Sequence, residues 1–256
     1  MIAQDADASL NVTDWIAQID VLALPLAARI PADAATLHRV LSLNHYFFEE
    51  LGFRGNDEQY YDPKNSLLNE VILRRTGIPI TLSILYIEMG RRIGLKLYGV
   101  SFPGHFLVKL RVSGGELVLD PYSGGRALSE AELRTKLKGL SRDIDPKDLP
   151  LAEFIEAAQP RDIIARLLRN LKAIYVDRKD WANALKVQHR MVILLPDWPA
   201  EVRDRGLIYA ELECPRAAAD DLDAYLKHAP AEGESETDDA LREKSRDLRA
   251  RAGQLH

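Results

Sequence analysis

Residues 32–51, ADAATLHRVLSLNHYFFEEL, place Leu37, Val40, Leu41, Leu43 and Phe47 at helical spacing, which predicts an amphipathic helix. The next stretch, GFRGNDEQYYDPKNS over 52–66, is polar and rich in Gly, Asn and Asp, and reads as a loop. A short helix, LLNEVILRRT, follows and stops at Gly77. Pro79 then stands where a helix can begin, because the first-turn N–H that proline lacks has no intrahelical partner. Ile80, Leu82, Ile84, Leu85, Ile87 and Met89 cover nearly the whole circumference of that helix, so it is expected to be buried on most sides and to end at Gly94. Residues 97–102 and 105–112 read as strands, Ser113-Gly114-Gly115-Glu116 as a turn, and ELVLDPY as the returning strand. The pattern predicts an α+β domain, with helices first and a small antiparallel sheet after them.

From about residue 158 the strand signal stops. RDIIARLLRNLKAIYVDRKDWANALKVQHRMVILLPDWP reads as two helices closed by a proline. Tyr175 and Tyr209, Ala184 and Ala218, and Pro196 and Pro230 are each thirty-four positions apart, the period of the tetratricopeptide repeat. Small residues at such positions let two helices approach, and the proline sets the turn between repeats. Gly206 fits the small position three residues before Tyr209, whereas Lys172 replaces it in the first copy. AEGESET, residues 231–237, is a polar linker, and 238–253 a charged helix that closes the last repeat. The expected organisation is an α+β domain over 1–157 and an all-α repeat domain over 158–256.

Composition narrows the setting. The 256 residues are 46% hydrophobic and 29% charged, with a net charge of −5. That balance opposes a general polyanion-binding surface, and the pairs Arg74-Arg75 and Arg91-Arg92 read as solvated helix faces. MIAQDADASL lacks the basic start and apolar run of a signal peptide. IPITLSILYIEM, the longest apolar run, is too short to span a bilayer, and the single cysteine, Cys214, excludes an internal disulfide. The cytoplasm is the expected compartment. Neither nucleic-acid nor membrane partners are expected.

The chemistry centres on PGHFLVKL, residues 103–110, where His105 stands at the mouth of an apolar strand. By itself such a histidine reads sooner as a structural ring held by one hydrogen bond than as a base. A metal reading of His105 with Asp120 lacks a third ligand nearby in sequence; His38 and His45 share one helix face and read as flanking the core. No cofactor is expected. Cys214 reads as a packed helical cysteine.

TGIPITLSILYIEMGRRIGL, GVSFPGHFLVKL and LVLDPYSGG resemble the transglutaminase-like core of the bacterial SirB-type family, in which that core is fused to C-terminal tetratricopeptide repeats. NLKAIYVDRKDWANAL and RDRGLIYAEL resemble its repeat half. The resemblance covers residues from about 35 to 230. It implies a papain-like site, with a nucleophile at the head of the buried helix, a histidine entering one strand and an aspartate leaving the next. His105 and Asp120 match the last two positions. In such a site the imidazole takes the thiol proton, the carboxylate fixes its tautomer, and the helix N-terminus lowers the thiol pKa. Where thiol enzymes of the superfamily open the helix with Gly-x-Cys, this chain has Gly77-Ile78-Pro79, so Pro79 occupies the cysteine position. Losing a triad nucleophile costs on the order of a million-fold in turnover.

Two hydroxyls lie close by. Ser83 falls one turn beyond position 79 on roughly the same face, while Thr81 is rotated by about 200°. Either is a substitute nucleophile, or is simply bonded to a carbonyl of its own helix. Asn65 and Asn69 are expected to line the cleft, with helix capping as the plainer role for Asn65, and Glu70 reads as helix surface. A bond between His105 and Asp120 requires a hairpin loop over 111–114, or a bulge, because a Gly114-Gly115 turn would set Asp120 opposite Lys109.

Two functions follow. One is a non-catalytic scaffold that binds a protein or peptide through its repeats. The other is an acyltransferase or amide hydrolase of altered chemistry, using His105 and Asp120 with a hydroxyl or water. The family name implies a link to gene-expression control, and the net charge opposes direct DNA binding.

Overall fold

A computed structural model describes residues 2–138, 149–228 and 235–254 of the chain, which divides into two compact units, 1–167 and 168–256. The first is α+β, the second all-α.

The first unit opens with a helix that the polarity pattern did not reveal, α1 (Val12–Arg29), started by the Asn11 side chain accepting from the Thr13 amide. Its buried face is Ala23 and Leu26, with Trp15, Ile19 and Leu22 partly covered. Exposed Ile16, Val21 and Leu24 blur that stripe in the sequence. The helix expected over 32–51 is α2 (Thr36–Asn44) followed by a π-helical turn, His45–Glu50. Val40, Leu43 and Phe47 are buried, whereas Leu37 and Leu41 face solvent at 56% and 59% exposure, so the apolar set is split between two faces. Phe47 stacks on Phe53 at 4.3 Å and meets Tyr86 edge-on at 5.6 Å.

After Arg54–Gly55 (β1), a 3₁₀ turn at Pro63–Ser66 and α3 (Leu68–Arg74), the two-residue β2 (Thr76–Gly77) pairs parallel with β1. Pro79 is the first residue of α4 (Pro79–Arg92), which buries Ile80, Leu82, Leu85, Tyr86 and Met89 and ends before Gly94 at φ +80°. Gly90 is needed for packing, since a Cβ there would lie 2.3 Å from Leu97 Cδ1.

The sheet is antiparallel in the order β3 (Tyr98–Val100), β4 (Leu107–Val112), β5 (Gly115–Asp120), β6 (Arg126–Ala127). Val112 pairs with Gly115, so the hairpin turns on the two residues Ser113-Gly114. The longer loop or bulge expected from the sequence is absent here. The register still serves the site because His105 is not a strand residue: β4 starts at Leu107. Gly104 at φ +66° and the His105 amide donating to the Phe102 carbonyl (3.0 Å) fold the chain into a turn before β4. Helices α5 (Glu130–Leu137) and α6 (Leu151–Phe154) cover one side of this sheet through Leu133, Leu137 and Phe154. The first turns of α7 (Pro160–Asp177) belong to this unit, with Leu167 buried beside Ile78, Ile80 and Phe106.

In the second unit, α8 (Trp181–Leu194), α9 (Pro199–Glu211), α10 (Pro215–Leu226) and α11 (Glu236–Gln254) pack sequentially after the end of α7. The thirty-four-residue period reappears in the backbone. Lys179 and Glu213 both adopt positive φ, 56° and 55°. In the turns they form, the Asp180 amide donates to the Tyr175 carbonyl and the Cys214 amide to the Tyr209 carbonyl. A Cβ on Gly206 would lie 3.1 Å from the Ala218 carbonyl oxygen, and Ala184 and Ala218 are fully buried, which is why these positions are small. Lys172 does what no small residue could: its ammonium reaches Asp204 (2.8 Å) and Glu201 (3.5 Å) on α9. Pro196 lies in the turn between α8 and α9, and Pro230 lies outside the described residues. Cys214 is not packed within a helix; it is exposed, at the position just before α10. Leu241 and Leu248 of α11 close over Ala218, Ala219 and Leu222. Among the described residues no helix is long and apolar enough to cross a membrane.

Candidate functional site

The end of β5 and the turn before β4 bring two side chains together. His105 Nε2 lies 2.8 Å from Asp120 Oδ1, with the imidazole 15% exposed and the carboxylate fully buried. Asp120 also accepts from the Tyr122 and Ser123 amides through Oδ1, and from the Ser123 hydroxyl through Oδ2 (3.0 Å), with the Lys136 ammonium 3.9 Å away. Burial works to raise its pKa. The bond to His105, that from Ser123 and the Lys136 charge outweigh it and hold the carboxyl below the usual range. Asp120 is therefore ionised at neutral pH. With Nε2 committed to it, Nδ1 is the imidazole atom left for proton transfer.

The loop after Asp120 is anchored to the core. Asn44 donates to the Gly125 carbonyl (3.0 Å) and accepts from the Tyr86 hydroxyl (2.7 Å). Gly125 has φ +71°, and a Cβ there would sit 2.2 Å from Asn44 Oδ1. The Tyr122 ring stands edge-on to His105 at 6.0 Å, its hydroxyl donating to Asp57 (2.7 Å). Burial and the adjacent Asp57 push the Tyr122 pKa up, so the phenol stays neutral. Gly55 leaves room for that ring, since a Cβ would lie 2.6 Å from it.

The head of α4 packs against the residue next to the histidine. Ile78, Ile80 and Phe106 share one apolar cluster, and Ser83 Oγ donates to the Phe106 carbonyl at 3.4 Å. Pro79 is buried at the start of the helix. Thr81 Oγ1 accepts from the Ile78 amide (3.1 Å) and donates its one proton to the Asn65 carbonyl (2.8 Å), with the Ile78 carbonyl a second acceptor within reach at 3.1 Å. Thr81 and Ser83 are both 0% exposed, and among the described residues neither hydroxyl bonds to His105.

Asn65 caps no helix; Asp62 caps the 3₁₀ turn by accepting from the Lys64 amide. The buried Asn65 amide instead ties the preceding loop down, donating to the Gln59 (2.7 Å) and Tyr60 (3.2 Å) carbonyls and accepting from Asn56 and Arg74. Asn69 is half-buried, and among the described residues its Oδ1 has no partner. Glu70 faces Lys64 and Arg74 on the α3 surface. Among the described residues no third metal-ligating side chain joins His105 and Asp120.

The sequence reading passed over Tyr122, Ser123, Asp57 and Arg166. Ser123 had a legible signal, a hydroxyl three residues after an aspartate, the spacing of a side chain folding back on a turn. Asp57 comes from a loop sixty-five residues away and had none.

Residues 13–169 match the family model described as transglutaminase-like superfamily, and 171–249 a tetratricopeptide-repeat model. A UPF0162 protein of Xylella fastidiosa is 44% identical over 193 residues, covering 75% of this chain and 69% of that protein. A UPF0162 protein of Pseudomonas aeruginosa is 31% identical, over 88% of this chain and 86% of its own length. Protein SirB1 of Salmonella typhimurium is 29% identical, covering 88% and 81%. No solved structure matches.

Proposed function

Since this chain belongs to the SirB-type (UPF0162) family, a transglutaminase-like core followed by tetratricopeptide repeats, we propose that it is a non-catalytic scaffold that binds a protein or peptide partner, in a regulatory role in the cytoplasm. One observation carries the reading. A hydrogen-bonded His105–Asp120 pair stands beside a helix whose first residue is a proline and whose next two hydroxyls are sealed from solvent and bonded to carbonyls. A general base without a nucleophile within reach accelerates little. The repeats are the module that usually engages protein partners. The test is a panel of ester and amide substrates assayed with the full chain and with His105→Ala. Turnover should match buffer in both; turnover lost in His105→Ala would overturn the scaffold reading.

A second reading is favoured by the geometry of the pair, since Asp120, besides organising its own turn, fixes the His105 ring through Nε2 and leaves Nδ1 for proton transfer. In it His105 Nδ1 takes a proton from water as the water adds to an acyl carbonyl, and the imidazolium gives that proton to the amine as the C–N bond breaks, leaving a carboxylic acid; in acyl transfer a substrate hydroxyl takes the place of the water and the product is an ester. Solvent ¹⁸O appearing in a carboxylic acid product, only when His105 is present, would establish hydrolysis.

A further inference from the structure

We propose that Arg166, joined to His105 through the Phe102 carbonyl, is the anchor of a subsite for a carboxylate group on a ligand of the first unit. The proposal rests on the scaffold reading and adds to it a contact on the first unit, separate from the repeats, by naming the chemistry a partner would present there. Arg166 Nη1 donates to the Ser101 hydroxyl oxygen and to the Phe102 carbonyl, both at 2.8 Å. That same carbonyl accepts the His105 amide at 3.0 Å, so one oxygen positions both residues. The Phe106 ring lies under the guanidinium, 5.7 Å from its carbon.

Every one of these partners is neutral. Among the described residues no carboxylate pairs with Arg166, whereas Arg29, Arg74, Arg92, Arg126, Arg203, Arg205 and Arg249 each have one. Burial pushes its pKa down, with Tyr60 the titratable group opposing the shift. A half-buried cation held only by neutral acceptors is costly, and an incoming anion would offset that cost. The geometry selects the kind of anion. With Nη1 committed to protein, the Nε–Nη2 edge meets no acceptor among the described residues, and that edge is a planar two-donor fork matching the two oxygens of a carboxylate. Tyr60 stacks edge-on against Tyr122, which in turn stands edge-on to His105, so two aromatic rings line the approach to the histidine.

The experiment uses the full chain labelled with ¹⁵N-arginine, with the Arg166 Nε resonance assigned through Arg166→Lys. N-acetyl-Gly-Tyr as the free acid is titrated against its C-terminal amide, with inorganic phosphate as a third arm. The free acid should shift the Arg166 resonance saturably and bind roughly tenfold more tightly than the amide, the scale of one charge-assisted contact. Arg166→Lys should lose that preference, and His105→Ala should keep it. Equal binding of acid and amide, no Arg166 shift, or a preference for phosphate over the acid would overturn the carboxylate assignment. These outcomes read binding alone, so they are separable from the scaffold reading, whose failure shows as turnover.

Discussion

Removing the charge of Asp120 tests the physics of the site directly. The carboxylate is fully buried and accepts from the His105 ring, two backbone amides and the Ser123 hydroxyl. Asp120→Ala leaves those amides and the imidazole without an acceptor and opens a small void, which should destabilise the first unit by about 3 to 5 kcal/mol. Asp120→Asn keeps the shape and one acceptor oxygen but trades the ion for an amide, and should cost about 2 kcal/mol. The folded pKa of Asp120 lies below its unfolded value, so its contribution is fully present above the unfolded carboxyl range. It is lost as the pH falls through the folded pKa. The gap between wild type and Asp120→Asn should therefore be constant from about pH 5 upward and close on acidification. Hydrogen exchange of the peptide covering 115–126, followed against urea from pH 7 to pH 3, isolates the first unit from the repeats. Protection of the Tyr122 and Ser123 amides should fall first. An Asp120→Asn variant as stable as wild type, or a gap that does not close in acid, would refute the claim that a buried carboxylate organises this turn.

Other substitutions probe the frame around it. Gly125→Ala meets both positive φ and Asn44 Oδ1 at 2.2 Å, whereas Gly52→Ala meets positive φ alone; thermal melts should show about 2 to 3 kcal/mol lost at 125 and about 1 at 52. Thr81→Val strips the Ile78 amide and the Asn65 carbonyl of their partner. It should cost about 2 kcal/mol by urea titration and raise proteolysis in the 56–62 loop. In the second unit, Lys172→Met leaves the buried Glu201 and Asp204 short of a cation, a loss of about 2 kcal/mol by denaturant melts that high salt should not reproduce in wild type. Cys214 is exposed, so Ellman's reagent should titrate one thiol in the native chain at a rate indifferent to His105→Ala.

Much of the architecture was readable in order of residues because local physics decides it. Pro79 at a first helical position, the apolar circumference of α4, the Gly-rich hairpin and the thirty-four-residue spacing each express a rule that acts over a few residues or one repeat. The pairing of His105 with Asp120 was expected from the family resemblance, while the strand reading of residue 105 and the loop it required were wrong: the 2.8 Å contact forms across a tight hairpin from a turn residue. Helix α1 was missed because its buried stripe is interrupted by exposed Ile16, Val21 and Leu24. A π-helical turn after Asn44 adds a residue to one turn, and no simple period announces that.

What only the tertiary structure decided are the contacts between residues far apart in the chain. The Ser113-Gly114 turn fixes the hairpin register, and His105 reaches Asp120 only because the left-handed Gly104 and the Phe102 carbonyl turn the chain before β4. The confinement of Thr81 and Ser83 depends on carbonyls supplied by residues 65 and 106, and Arg166 meets Phe102 from sixty-four positions away. Sequence order specifies the groups a segment carries and its periodicity. Which buried hydroxyl finds an acceptor, and which cation is left without an anion, is set by the packing that brings distant backbone oxygens within hydrogen-bonding reach.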